Sequence, residues 1–423
     1  MTYFILIAFC SVILLAYIFD ITAGHTKIPG VILLILTGMA IGYLSSFWKL
    51  DLPDMEVPLY VMGTLGLILI VLEGSLDLAI RRDKGRLIIS SVSSAVVLFA
   101  LFVAVFAYLG SLFLACDLKT GIINIIPLAV ISSAVAIPSA TGLHSNDREF
   151  VTYESSVSDI VGILAFDFLL FNAGAPTAGI VRFLSELFIM FFASILFSMG
   201  LAFLLHKITH HVKYVIIMTT IVLVYALTKL LHLPSLLVVL IFGLIMNNNV
   251  LFKNKYTARI INFEGFNLEL ASFKNIVREL TFIIRSFFFI LFGFYTRLSD
   301  LLNIDNLIIA LLIVMVIFIL RAVFFKLVLG YPLSPLVFFA PRGLITILLY
   351  LSIPSAMLIP CINIGVVTQV IFITILLMTF GNMIFDRKKG VAYTGTTDKE
   401  VDVETQTKTD TQNNIKEQIL ELC

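Results

Sequence analysis

The chain has 423 residues, of which 60% are hydrophobic and 13% charged, with a formal net charge of +1. Soluble domains average about 45–50% apolar and about 25% charged residues, so this composition excludes a soluble enzyme and indicates an all-α polytopic membrane protein. A charge near zero without basic stripes gives no basis for binding nucleic acid.

Runs of about 20 apolar residues suffice to cross a bilayer. Thirteen such spans are predicted, at 2–18, 28–47, 58–80, 87–115, 121–140, 150–171, 181–205, 214–230, 234–248, 276–295, 306–328, 332–353 and 364–385. The start "MTYFILIAFC" lacks the basic region of a cleavable signal, so the first span is expected to remain as a helix. Span 3, "GLILIVLEGSLDL", carries Glu73. The serines of "SSVSSAV" in span 4 are read as helix packing. Span 5, "IIPLAVISSAVAIPSATG", sets Pro127 and Pro138 around Ser132 and Ser133, and is expected to be broken.

Span 6 contains "VTYESSVSDIVGILAFDFLL", with Glu154, Ser155, Ser158, Asp159 and Asp167. An unpaired charge in hydrocarbon costs about 2.5–3.5 kcal/mol or more, so such acids are functional candidates. Ser155 and Asp159 are four residues apart, as are Glu154 and Ser158, giving two stacked polar pairs on different faces. Asp167, two turns farther out, is either an outer vestibule residue or a salt-bridged acid. Span 10 carries Arg285 and the Phe-rich "RSFFFILFGF", span 11 Arg321, and span 12 is interrupted by Pro341, Arg342 and Gly343.

After Phe385 the composition turns polar, and 386–423 is expected to be a disordered cytoplasmic tail. Cys10, Cys116, Cys361 and Cys423 show no metal or redox spacing. The six histidines fall in loops or at span ends, where solvation is expected. With the tail inside, the inner loops hold sixteen Lys and Arg against five outside, which places the N-terminus outside.

Orientation turns sequence distance into depth at about 1.5 Å per residue. Glu73, Asp159, Arg285, Arg321 and Arg342 then share one level, about 10–15 Å from the inner boundary and near the middle of the bilayer. Pairing spans 1–6 with 8–13 sets broken span 5 opposite broken span 12 and Glu73 opposite Arg285. An offset of seven spans makes the two repeats inverted, a transporter architecture.

These motifs, "GLILIVLEGSLDL", the broken fifth span, "YESSVSDIVGI", "FILRAVFF" and "PRGLITILLYLSIP", in this order over residues 1–385, resemble the monovalent cation/proton antiporter family of the sodium/proton exchanger type. The resemblance implies an ion site at Glu154, Ser155, Ser158 and Asp159. It also implies a homodimer, with interface helices at about 1–80 and 181–295 and a core at about 87–171 and 306–385 that moves as an elevator. Two departures are visible. Ser158 stands where the electroneutral branch has Asn and the electrogenic branch a second Asp, which favours electroneutral exchange, and "SSAVAIP" replaces the usual Thr-Asp-Pro.

An exchanger needs one site that holds a cation or a proton in alternation, and a carboxylate in a suitable environment meets that need. Asp159 is the expected group, with Glu73 nearby and oxygens from Ser155, Ser132 and Ser133 completing a shell for Na+, or for K+ or Li+. Arg342 or Arg321 is expected to hold Glu154 ionised and to neutralise the broken helix ends. Arg285 serves likewise or else pairs with Glu279 or Asp77. No enzyme activity and no cofactor are expected, and the short loops suggest a bacterial inner membrane. The alternative function is a sodium-coupled symporter of a small organic solute. A channel lacks a filter loop here, and a hydrolase lacks a nucleophile and base at one depth.

Overall fold

The computed structural model describes residues 2–26, 28–47, 56–78, 84–113, 117–171, 185, 188–201, 213–231, 233, 235–248, 263–331 and 335–392. All thirteen predicted spans are represented among them. The first repeat comprises α1 (Thr2–Thr26), α2 (Gly30–Phe47), α3 (Glu56–Asp77), α4 (Gly85–Phe113), α5 (Leu118–Ala129), α6 (Ser133–Ser139) and α7 (Ser145–Phe171). Helix α8 (Phe188–Leu201) follows. The inverted second repeat comprises α9 (Lys213–Leu230), α10 (Ser235–Asn247), α11 (Phe263–Tyr295), a short α12 (Leu298–Leu301), α13 (Ile304–Phe324), α14 (Leu344–Leu351) and α15 (Ile364–Ala392).

Among the described residues, six helices are long and apolar enough to cross a membrane. The others are shorter or carry the charges that lower their mean hydropathy. Large apolar side chains such as Leu14, Ile89, Leu196, Leu223 and Leu327 face outward, as expected of a lipid-facing surface.

Several helix ends differ from the sequence reading, α1 for one running to Thr26 past the expected 18. Helix α11 begins thirteen residues before the expected 276. Its first turns carry Asn267, Glu269, Ser272 and Lys274, whose polarity ends the apolar run without ending the helix. Helix α15 continues to Ala392, so the first residues of the expected tail are helical. The remaining tail, and His206, His210, His211 and His232, lie outside the described residues.

Helix α11 packs along α2 and α3, and α10 packs on α3 and α9. A second group joins α4 to α5 and α7, α6 to α7, and α13 to α15 and α4. The α2–α11 approach is backbone to backbone. A Cβ on Gly38 would lie 2.1 Å from Ile290 O and one on Gly293 2.2 Å from Ile35 O, so only glycine fits at either position.

Candidate functional site

Both interrupted spans are broken, and the breaks cross. Between α5 and α6 the chain is extended at Val130 and Ser132. Between a short 3-10 turn at Leu336–Phe338 and α14 it is extended or irregular through Gly343. Buried backbone groups must be paired, and those of the two breaks are paired with each other and with side chains of α7 and α15. Ser132 N donates to Pro341 O at 2.9 Å, and Ile131 N donates to Ser158 Oγ at 2.9 Å. Arg342 N donates to Thr374 Oγ1 at 3.1 Å. Gly343 sits at the crossing because a Cβ there would lie 2.6 Å from Ser132 Oγ.

The freed carbonyls are capped by arginine. Arg342, buried, donates from Nε to Leu128 O at 2.6 Å and from Nη1 to Ala340 O at 3.2 Å. Arg321 donates from Nε and Nη2 to Leu336 O at 3.2 and 2.9 Å, and from Nη2 to Phe339 O at 3.2 Å. Each cation therefore lies against backbone carbonyls at one of the two breaks, and Arg342 does so at the C-terminal end of α5, where its charge is favoured. Arg321 also forms a bidentate pair with Glu154, which Ser94 of α4 joins as a donor. Of the two arginines expected to serve Glu154, Arg321 is the partner. Ser94 corrects the packing-only reading of the span 4 serines. Its role depends on α4 lying against α7, which local sequence does not reveal.

Asp159 is only 2% exposed. Its Oδ2 accepts from Ser133 Oγ and, at 3.4 Å, from Ser133 N, whereas Oδ1 has no hydrogen-bond partner among the described residues. A cavity of about 10 Å³ adjoins it, lined by Val71, Gly74, Ser75, Ser133, Ser156 and Leu240 among others. Such a volume admits roughly one water-sized particle.

The structure thus brings Ser133 to Asp159 and separates several other expected residues from that contact. Ser132 Oγ has no hydrogen-bond partner among the described residues and faces Gly343. Ser158 supports the broken backbone, and Ser155 donates into its own helix at Val151 O, 2.7 Å away. Glu73 is half-buried and faces Arg285 and Thr281 of α11. Arg285 also donates to Ala134 O of α6 at 3.1 Å. The alternative pairing of Arg285 with Asp77 is not found: Arg278 and Lys274 take Asp77 at 2.8 and 4.0 Å, and Glu279 is exposed. Asp167 is salt-bridged to Lys229 at 3.2 Å. Ser156 was missed by the sequence reading, although its position three residues before Asp159 puts the two on one helix face.

Two larger cavities flank α6 at its C-terminal end. One, of about 410 Å³, lies among α1, α2, α6 and α11 and reaches Arg285 and Asn382. The other, of about 570 Å³, runs between Asp77 and Arg278 on one side and Arg148, Glu149, Thr152 and Tyr153 on the other. Thr152, which lines the second cavity, lies on the same face of α7 as Ser156 and Asp159.

No curated protein sequence matches the chain. Its fold is similar to the structure of the sodium proton antiporter MjNhaP1 from Methanocaldococcus jannaschii at pH 8, with TM-score 0.67 and 21% identity over 90% of this chain and 99% of that one. An electron-microscopy map of the same antiporter gives TM-score 0.66 and 19% identity, over 90% and 95% of the two chains. The family model described as "Sodium/hydrogen exchanger, transmembrane" matches residues 10–384, and the chain belongs to that family.

Proposed function

We propose that the chain exchanges one Na+ for one H+ by alternating access, with Li+ and K+ as competing substrates and Asp159 as the group that both ions occupy. The observation that carries this reading is the buried Asp159 carboxylate at the crossing of the two broken segments, with one oxygen held by Ser133 and the other unpartnered. Hard monovalent cations take oxygen ligands, and the polar side chains around the adjoining cavity are oxygen donors. Its small volume suits a bare ion and argues against symport of an organic solute at this position.

On this reading Glu154 stays ionised against Arg321, and Ser155, Ser158, Ser132, Glu73 and Arg285 support the site and its approach. Both large cavities open beside the end of α6 that the charge asymmetry assigns to the inside, which fits an inward-facing arrangement. The elevator would carry α4–α7 with α13–α15 past the remaining helices, in a homodimer in a bacterial inner membrane. Such exchange would serve pH homeostasis and needs no cofactor.

The test uses full-length protein in liposomes with an imposed pH gradient. Na+, Li+ or K+, but not choline, is expected to dissipate the gradient, and Asp159→Asn to abolish the response. No response of wild-type protein to any inorganic cation would overturn the reading.

A further inference from the structure

Ser156 Oγ is the second polar atom at the small cavity that has no hydrogen-bond partner among the described residues, the first being Asp159 Oδ1. Ser156 is 5% exposed and Asp159 2%. Buried polar atoms are almost always paired, so two orphans on one cavity point to a ligand that satisfies both. The neighbouring serine of the motif does not share this position. Ser155 donates to Val151 O at 2.7 Å and does not line the cavity.

The facing helix is shaped around the hydroxyl. Gly74 of α3 lies opposite, and a Cβ there would stand 3.2 Å from Ser156 Oγ. Glycine in a helix interior is unfavourable relative to alanine, yet here it leaves beside the hydroxyl the room that a Cβ would take. Ser75 lines the same cavity and donates its own proton to Leu72 O at 2.9 Å, keeping lone pairs available.

We propose that Ser156 is a ligand of the transported monovalent cation, which sits between Ser156 Oγ and Asp159 Oδ1 against Gly74. The proposal rests on exchange at Asp159 and adds the residue that completes the shell on the α3 side. A proton on Asp159 needs no such second oxygen. Ser156 therefore acts on cation affinity, and the proton-loaded half of the cycle proceeds without it.

The experiment compares wild type, Ser156→Ala and Gly74→Ala, each full length. Gradient dissipation in liposomes is followed against Na+ concentration, and the rise in melting temperature on adding Na+ in place of choline is followed in detergent. Loss of one ligand to a charged ion is expected to raise the KM for Na+ about tenfold in Ser156→Ala, with Vmax within about twofold. The Na+-induced rise should shrink while the melting temperature in choline is unchanged. Gly74→Ala, which favours the helix and crowds the hydroxyl, should shift KM in the same direction, and it decides the matter if Ser156→Ala does not fold. Wild-type KM and a wild-type Na+ response in the variants would overturn the proposal while leaving exchange at Asp159 standing. A wild type that exchanges no inorganic cation would overturn both.

Discussion

Arg321 and Glu154 form a two-point ion pair, Nη1 to Oε1 at 2.7 Å and Nη2 to Oε2 at 2.6 Å, with both side chains at most 2% exposed. The same guanidinium caps Leu336 O and Phe339 O. One residue thus links the acid beside the expected ion site to the break in the opposite repeat.

Removing one partner of a buried pair strands the other charge, at a cost of about 3–5 kcal/mol. Glu154→Gln is therefore expected to lower the melting temperature sharply. The double change Glu154→Leu with Arg321→Met should recover only part of the loss, because it takes the guanidinium from Phe339 O, whereas Leu336 O keeps Phe339 N as a donor. Melting in detergent of the singles and the double checks this. A Glu154→Gln protein as stable as wild type would refute the coupling.

Arg342 reaches Leu128 O and Ala340 O on opposite sides of the crossing. Lysine keeps the charge but lacks the planar fork that serves two acceptors. Arg342→Lys is expected to leave one carbonyl unpaired, costing about 1–3 kcal/mol, and to lower Vmax more than it changes KM. Exchange kinetics and melting on the same preparation separate the two effects. An unchanged Vmax would show that the crossing tolerates a looser cap.

Much of this arrangement was legible in the sequence because charge in hydrocarbon is rare. Glu154, Asp159, Arg321 and Arg342 stand out against apolar neighbours, and helix rise with the charge asymmetry puts the last three at one depth. The two breaks were legible from proline and from Arg342–Gly343 in mid-span. Among the hydroxyl groups, only the place of Ser133 beside Asp159 was. Ser155 and Ser156 are adjacent and chemically identical, and only the placement of α3 and α6 turns one toward the cavity and the other onto its own helix. Ser94 shows the same limit. Its helix reads as apolar with small residues, and the acceptor lies sixty residues away.

Glu269, before the apolar part of α11, supports a pH prediction. Its carboxyl lies below its ordinary value of 4.5 because Lys213 and then Tyr214 hydrogen-bond to it. A depressed carboxylate pKa stabilises the fold above the unfolded value and loses that contribution as pH falls through the folded one. Glu269→Gln should therefore lower the melting temperature by the same amount at any pH from about 6 to about 8, and the difference should shrink progressively as the pH falls below the ordinary 4.5. A difference that changes between about pH 6 and about pH 8 would contradict this assignment.

The α2–α11 contact yields the last prediction. Gly38 and Gly42 of α2 and Gly293 of α11 let the two backbones touch, with Cβ positions 2.1, 2.6 and 2.2 Å from carbonyl oxygens of the facing helix. Backbone atoms cannot move aside as a flexible side chain would, so alanine at Gly293 must push the helices apart. Helix propensity alone would make that change favourable by about 1 kcal/mol, so the two effects have opposite signs. Overpacking costs about 1–3 kcal/mol and should prevail, because α11 also packs on α3 and holds Arg285 beside α6. Gly293→Ala is expected to melt below wild type, and Gly110→Ala, where a Cβ meets nothing within 4 Å, to melt at or above it. If Gly293→Ala proves as stable as Gly110→Ala, the close approach of α2 and α11 does not hold in the membrane.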